Sequence, residues 1–116
     1  EAFYRNLLPG GLAIISPWMD PSQACEGQEV EQTYSSETLK LSRKGRLHIE
    51  GRLSRMNFEW RVEGPSGVER FDEEHCLYLY TREELSGAFE RSGFKTLWHD
   101  EALTPGRNLL VARKYA

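Results

Sequence analysis

The sequence predicts an α+β fold of one domain, and three observations carry that prediction. Between Thr38 and Tyr80 apolar and polar residues alternate at period two, the mark of an antiparallel meander with one covered face. Leu12-Ala-Ile-Ile15 is an unbroken apolar run, as in a strand buried on both sides. Thr81-Arg-Glu-Glu84, ahead of Leu85, Ala88 and Phe89, is a capping box leading a helical stripe.

In chain order, Phe3, Tyr4, Leu7 and Leu8 stand at helical spacing, with no capping residue before them. Pro9-Gly10-Gly11 ends that helix, because proline cannot continue it and glycine accepts a left-handed turn. Residues 1–17 therefore read as a helix and a buried strand, and 18–37, without a clear period, as a loop. Across 38–80 the meander carries Leu39 and Leu41, a tight turn at Lys44-Gly45, then Leu47, Ile49 and Leu53. Past Ser54-Arg55 come Met56, Phe58, Trp60 and Val62, a turn at Gly64 to Gly67, and extended segments at 68–71 and 75–80. The basic residues Lys40, Arg43, Arg46, Arg52 and Arg61 read as its solvated outer face. Residues 81–116 read as a helix stopped at Ser92-Gly93-Phe94, a strand from Lys95 to His99, a turn at Thr104 to Arg107 and a strand from Asn108 to Tyr115.

The 116 residues suffice for one core, and 39% hydrophobic with 28% charged residues is ordinary globular composition. A net charge of −3 points to neither nucleic acid nor a membrane surface. The charge is unevenly spread: residues 19–37 hold five acidic and no basic residues, whereas 40–63 hold seven basic and three acidic. No apolar run approaches the ~20 residues of a membrane span, and nothing resembles a signal peptide. Cys25 and Cys76 read as two free thiols, which with the missing leader places the expectation in the cytoplasm.

The order of elements is more specific than any one of them. Leu8-Pro-Gly-Gly11 before a buried strand, an antiparallel insert, Tyr80-Thr-Arg-Glu-Glu-Leu85 opening a helix, Ser92-Gly-Phe94 closing it, then two strands ending Ala112-Arg-Lys114: this resembles the C-terminal half of class I S-adenosylmethionine-dependent methyltransferases. The resemblance implies a Rossmann-like sheet represented by strand five and antiparallel strands six and seven, with the meander as an insert near the substrate. It implies S-adenosylmethionine as cofactor of the full-length family and a small-molecule methyl acceptor. The family holds that cofactor on a glycine-rich turn after its first strand, and the ten glycines here include no G-x-G-x-x-G. The expectation is that those parts lie upstream of Glu1, that this chain alone neither binds the cofactor nor catalyses, and that it contains no cofactor-binding residue.

The resemblance puts the acceptor region at the loop after strand five and at the insert, so Trp18, Asp20, His75 and Tyr78 are the candidate substrate-binding residues. Each has a plainer reading: a packed loop anchor, a turn residue before Pro21, a hydrogen-bonded structural histidine and a core aromatic. No catalytic residue can be assigned, and His48 and His99 lack neighbours at ligand spacing, so no metal is expected. Two other functions compete. One is a non-catalytic binding or dimerisation module derived from a methyltransferase. The other is a nucleic-acid reader in which Arg43, Lys44, Arg46, Arg52 and Arg55 meet phosphates and Phe58 or Trp60 stacks on bases, disfavoured because Phe58 and Trp60 share the inward phase of their strand. The expected partners are the upstream cofactor-binding half or a second copy, joined through the Leu12 to Ile15 edge.

Overall fold

The computed structural model describes residues 1–100 and 107–115. The chain divides into two compact units, one of Glu1–Pro21 with Tyr80–Ala116 and the other of Ser22–Leu79. Both units are built mainly from antiparallel sheet, with two α-helices among the described residues.

The first unit holds α1 (Ala2–Asn6), β1 (Leu12–Ile15), α2 (Arg82–Arg91), β6 (Phe94–His99) and β7 (Leu109–Lys114). Its sheet has the order β1-β7-β6, with Leu12 opposite Arg113 and Phe94 opposite Lys114. α1 lacks a side-chain N-cap, as expected, and its end is held from outside. The Lys114 ammonium donates to the Tyr4 and Leu7 carbonyls at 2.7 and 2.8 Å, satisfying acceptors the short helix leaves open. α2 begins with the predicted capping box: Glu84 N–H donates to the Thr81 hydroxyl at 3.1 Å, and Thr81 N–H to the Glu84 carboxylate at 2.9 Å. It ends at Gly93, whose φ of +93° turns Phe94 back onto Phe89, ring to ring at 5.4 Å. Ala13, Phe94 and Ala112 form the core, with Tyr4, Leu7 and Phe89 packed on it. Leu7 belongs to that packing, whereas Phe3 is exposed. The opposite face of the sheet is open, with Ile14 and Leu97 each 60% exposed. The turn expected at Thr104 to Gly106 lies outside the described residues.

The second unit is a four-stranded meander, β2 (Glu29–Ser35), β3 (Lys40–Glu50), β4 (Leu53–Gly64) and β5 (Gly67–Tyr78), in sequential order. Three local expectations are corrected here. β2 falls inside the predicted loop of 18–37; with only Val30 and Tyr34 apolar it is an edge strand whose alternation is nearly silent. Lys44-Gly45 is not a turn but the middle of β3, because the Phe58 ring lies where a side chain at 45 would be. A Cβ there would stand 2.5 Å from Phe58 Cε1. The reversal comes instead at Gly51-Arg52, Gly51 taking φ +61°. Finally, β5 runs unbroken from Gly67 to Tyr78, joining the two segments read separately at 68–71 and 75–80 and ending before Leu79.

The register sorts the side chains into two faces. Leu47, Met56 and Phe58 are buried on the inner one, Leu47 completely, as the period-two pattern requires. Lys40, Arg46 and Arg61 take the outer face as expected, but Arg43 does not. Its register puts it on the inner face opposite Trp60, where its guanidinium lies 4.2 Å from the Phe58 centroid and 5.3 Å from the Trp60 centroid. A cation can follow an apolar phase when aromatic rings receive it.

Candidate functional site

In the first unit the register gathers chemistry at one end of the sheet. Ile15 pairs with Leu110 and His99 with Leu109, so the segment leaving β1, the segment entering β7 and the end of β6 meet there. α2 returns its N-terminus to the same end, where Arg82 donates to the Asp100 carboxylate at 2.7 Å and lies 5.1 Å over the Trp98 ring. Trp98 itself donates from Nε1 to the Ser86 hydroxyl at 2.8 Å, tying strand to helix.

The Arg107 guanidinium lies 4.6 Å from the centroid of the Trp18 ring. Both residues are half-buried, and Asp20 follows two positions on, before a single 3-10 turn at Pro21–Gln23. The indole face fixes the plane of the guanidinium and leaves its edge N–H groups free to hydrogen-bond. Among the described residues no carboxylate is bonded to Arg107, in contrast to Arg82 with Asp100. A guanidinium held beside an aromatic face, at the end of a sheet, is suited to a planar or anionic ligand group.

The other two candidates lie in the second unit. His75 is on the inner face, opposite Met56; its Nε2 is hydrogen-bonded to the Glu73 carboxylate and its ring meets Phe58 edge-on at 5.6 Å. Tyr78 is three residues further along β5 and so on the opposite face, with Arg52 at 5.4 Å over its ring. Trp18 and Asp20 thus lie two positions apart in the first unit, and His75 and Tyr78 on opposite faces of β5 in the second. Sequence reasoning missed Arg107, which it placed in a turn, and Arg43; a lone arginine beside a turn or within a strand gives no local signal of an aromatic partner.

The Glu26 carboxyl and the Cys76 thiol are both shifted. Glu26 accepts from the Ile49 backbone N–H and from His48 Nδ1 at 3.1 Å, and the backbone hydrogen bond first, then His48, holds its carboxyl below the ordinary value. The Cys76 thiol donates to the Glu74 carboxylate at 3.2 Å, which raises its pKa. Among the described residues no three His, Cys, Asp or Glu side chains could hold a metal ion, and no helix is long and apolar enough to cross a membrane. Gly10 and Gly11 precede β1 rather than follow it, so they do not form the strand-turn-helix cradle that binds a nucleotide cofactor.

No family model matches the chain. It is 34% identical, over 92% of its own length and 43% of the relative's, to dTDP-4-amino-2,3,4,6-tetradeoxy-D-glucose N,N-dimethyltransferase of Saccharopolyspora spinosa. It is 27% identical, over 95% of its length and 46% of the relative's, to dTDP-3-amino-3,4,6-trideoxy-alpha-D-glucopyranose N,N-dimethyltransferase of Streptomyces venezuelae. Among solved structures it superposes with TM-score 0.84 and 30% identity on SAM-bound CalS10, an amino pentose methyltransferase from Micromonospora echinaspora, covering 97% of this chain and 48% of that one. With DesVI of Streptomyces venezuelae the TM-score is 0.89 at 27% identity, covering 99% of this chain and 48% of the other. The chain spans somewhat less than half the length of the curated relatives it matches.

Proposed function

Because the chain belongs to the class I S-adenosylmethionine-dependent methyltransferase family, matching its C-terminal half, we propose that it forms the acceptor side of an enzyme that methylates the amino nitrogen of a nucleotide-linked deoxyamino sugar. The observation that carries this reading is the likeness to three sugar N,N-dimethyltransferases over 80% to 95% of the chain. In this family S-adenosylmethionine supplies the methyl group. The described residues do not fit that cofactor, so the proposal assigns it to the rest of the protein. That portion would join along the free edge of β1 and cover the open face bearing Ile14 and Leu97, in a Rossmann-like sheet.

On this reading the pair of Trp18 and Arg107 binds the acceptor. A nucleotide-linked sugar carries a diphosphate between base and sugar, and a guanidinium can give it two parallel charge-assisted hydrogen bonds. Trp18 holds the fork in one plane, lowering the entropy lost on binding and fixing where the sugar points. Asp20, close by in sequence, supplies an acceptor for a sugar hydroxyl or ammonium group.

The test uses the full-length protein and dTDP-linked amino sugars. Arg107→Gln is expected to raise KM for the nucleotide sugar by roughly tenfold or more while leaving KM for S-adenosylmethionine unchanged. Absence of methylation of any dTDP-linked amino sugar would refute the substrate class; unchanged kinetics in the variant would refute the role of Arg107.

A further inference from the structure

The sheet end that carries Trp18 and Arg107 holds a second guanidinium on a second indole, which the acceptor site built on Arg107 leaves unused. Arg82, the first residue of α2, lies 5.1 Å over the Trp98 ring, and Trp98 is fixed in turn by its Nε1 bond to the Ser86 hydroxyl at 2.8 Å. This guanidinium is preorganised in the same way as that of Arg107, 4.6 Å from the Trp18 centroid. The register brings the two arrangements to neighbouring strand ends. His99 pairs with Leu109, so Asp100 leaves β6 one position past that pair and Arg107 stands two positions before β7 begins, on strands about 4.8 Å apart.

The two guanidiniums differ in Asp100. Arg82 donates to it through a single Nη2 to Oδ1 bond of 2.7 Å, without the second, parallel bond of a fork-on-fork pair. The Arg82 side chain is 36% exposed and that of Asp100 80%. An ion pair so open to water, and closed at one oxygen, stabilises little. It exchanges readily for an anion of higher charge.

We propose that Arg82 is a second anchor for the anionic part of the acceptor, and that Asp100 holds its place until a phosphate oxygen displaces the carboxylate. This rests on the reading of the acceptor as a nucleotide-linked sugar. A diphosphate carries two charged groups in tandem, and two guanidiniums held on indoles at neighbouring strand ends meet one each. The capping box occupies the N-terminus of α2, so the anion is received by side chains and not by the helix end. Asp100 also contributes selectivity, because an anion that cannot displace it meets its charge instead.

Calorimetry of dTDP on the full-length protein reads this without requiring turnover. Arg82→Gln is expected to raise the dissociation constant roughly tenfold. Asp100→Asn is expected to lower it roughly threefold, because no carboxylate remains to be displaced. The sign at Asp100 is decisive. A pair that merely braces α2 against β6 would, once broken, weaken binding or leave it alone, and a misfolded variant could not bind more tightly. The gain should disappear when residue 82 is already Gln, where no pair is exchanged. A gain of equal size in that background would be removal of charge alone and would overturn the exchange. So would a raised or unchanged dissociation constant in Asp100→Asn, or native affinity in Arg82→Gln. In each case weakened binding in Arg107→Gln leaves the acceptor reading standing, whereas a native protein that binds no dTDP removes that reading and this one together.

Discussion

Gly45 and Gly51 are both glycines of one hairpin, yet they are glycine for different reasons and respond differently to substitution. At Gly45 the obstacle is a neighbour, since a Cβ would meet Phe58 Cε1 at 2.5 Å and Met56 Sδ at 3.2 Å. At Gly51 nothing lies within 4 Å and the obstacle is the φ of +61°. Gly45→Ala is expected to cost about 1–3 kcal/mol by overpacking, and the cost should fall when Phe58 is shortened to Leu in a double-mutant cycle. Gly51→Ala should cost about 1 kcal/mol whatever stands at 58. Equal coupling of both glycines to Phe58 in denaturant titrations would contradict the account. The same contrast explains what the sequence could tell. A turn glycine announces itself by its neighbours, whereas Gly45 answers to a residue thirteen positions away, so Lys44-Gly45 read as a turn. Arg43 misled for a related reason, its partners lying on the next strand. At Cys76 the Glu74 carboxylate stabilises the protonated thiol. Glu74→Gln is expected to lower that pKa and speed alkylation of Cys76 by iodoacetamide near pH 8; an unchanged rate, read by peptide mass spectrometry, would remove Glu74 from the explanation.

Elements were legible where their signals are local. The capping box and the Gly93 stop of α2 are contained within thirteen consecutive residues, and both ends were read correctly. β2 was not, because an edge strand with polar residues on both faces has no period to detect. Thr81→Ala is expected to cost about 1 kcal/mol through the lost cap. Gly93→Ala should cost more than the ~1 kcal/mol of a positive φ alone, since its Cβ would also stand 2.7 Å from Tyr4 Cε2 and push α1 from the core. Thermal unfolding with the two variants equal would mean that Tyr4 yields freely. At the start of β3's exposed edge, Glu26 takes up the Ile49 N–H that β2 does not reach, beside the backbone bonds joining Leu47 to Gly27 and Gln28. Its carboxyl is held below the 4.5 of an unperturbed glutamate, so the folded state binds that proton less readily than the unfolded one. The contribution is therefore complete above about pH 5 and is lost as the pH falls through the lowered folded value. The stability gap between native protein and Glu26→Gln should accordingly shrink on acidification from about pH 6 to pH 3. A gap that widens would reverse the sign and reject the assignment.

For the whole molecule, the order of elements carried more information than any motif, because an apolar strand with few neighbours points to a sheet left with an uncovered face. β1 has β7 on one side and an open edge on the other, and Ile14 and Leu97 stand exposed on one face of that sheet. What no pattern revealed was the meeting of Trp18 and Arg107, which depends on β1 and β7 being neighbours although about ninety residues separate the pair. If the rest of the protein closes this sheet, the chain and the full-length protein must differ at that edge in a measurable way. Covering apolar area is worth about 25 cal/mol per Å², and pairing the edge removes its outward amides from water. Hydrogen exchange at Leu12 to Ile15 is therefore expected to be fast in the 116-residue chain and slowed by orders of magnitude in the full-length protein, while α2 changes little. S-adenosylmethionine should follow the same division, giving no calorimetric signal with the chain alone and saturable binding with the full-length protein. Strong protection of Leu12 to Ile15 in the isolated monomer would show that the chain closes its own sheet. Micromolar binding of the cofactor to that monomer would place its site among these residues after all.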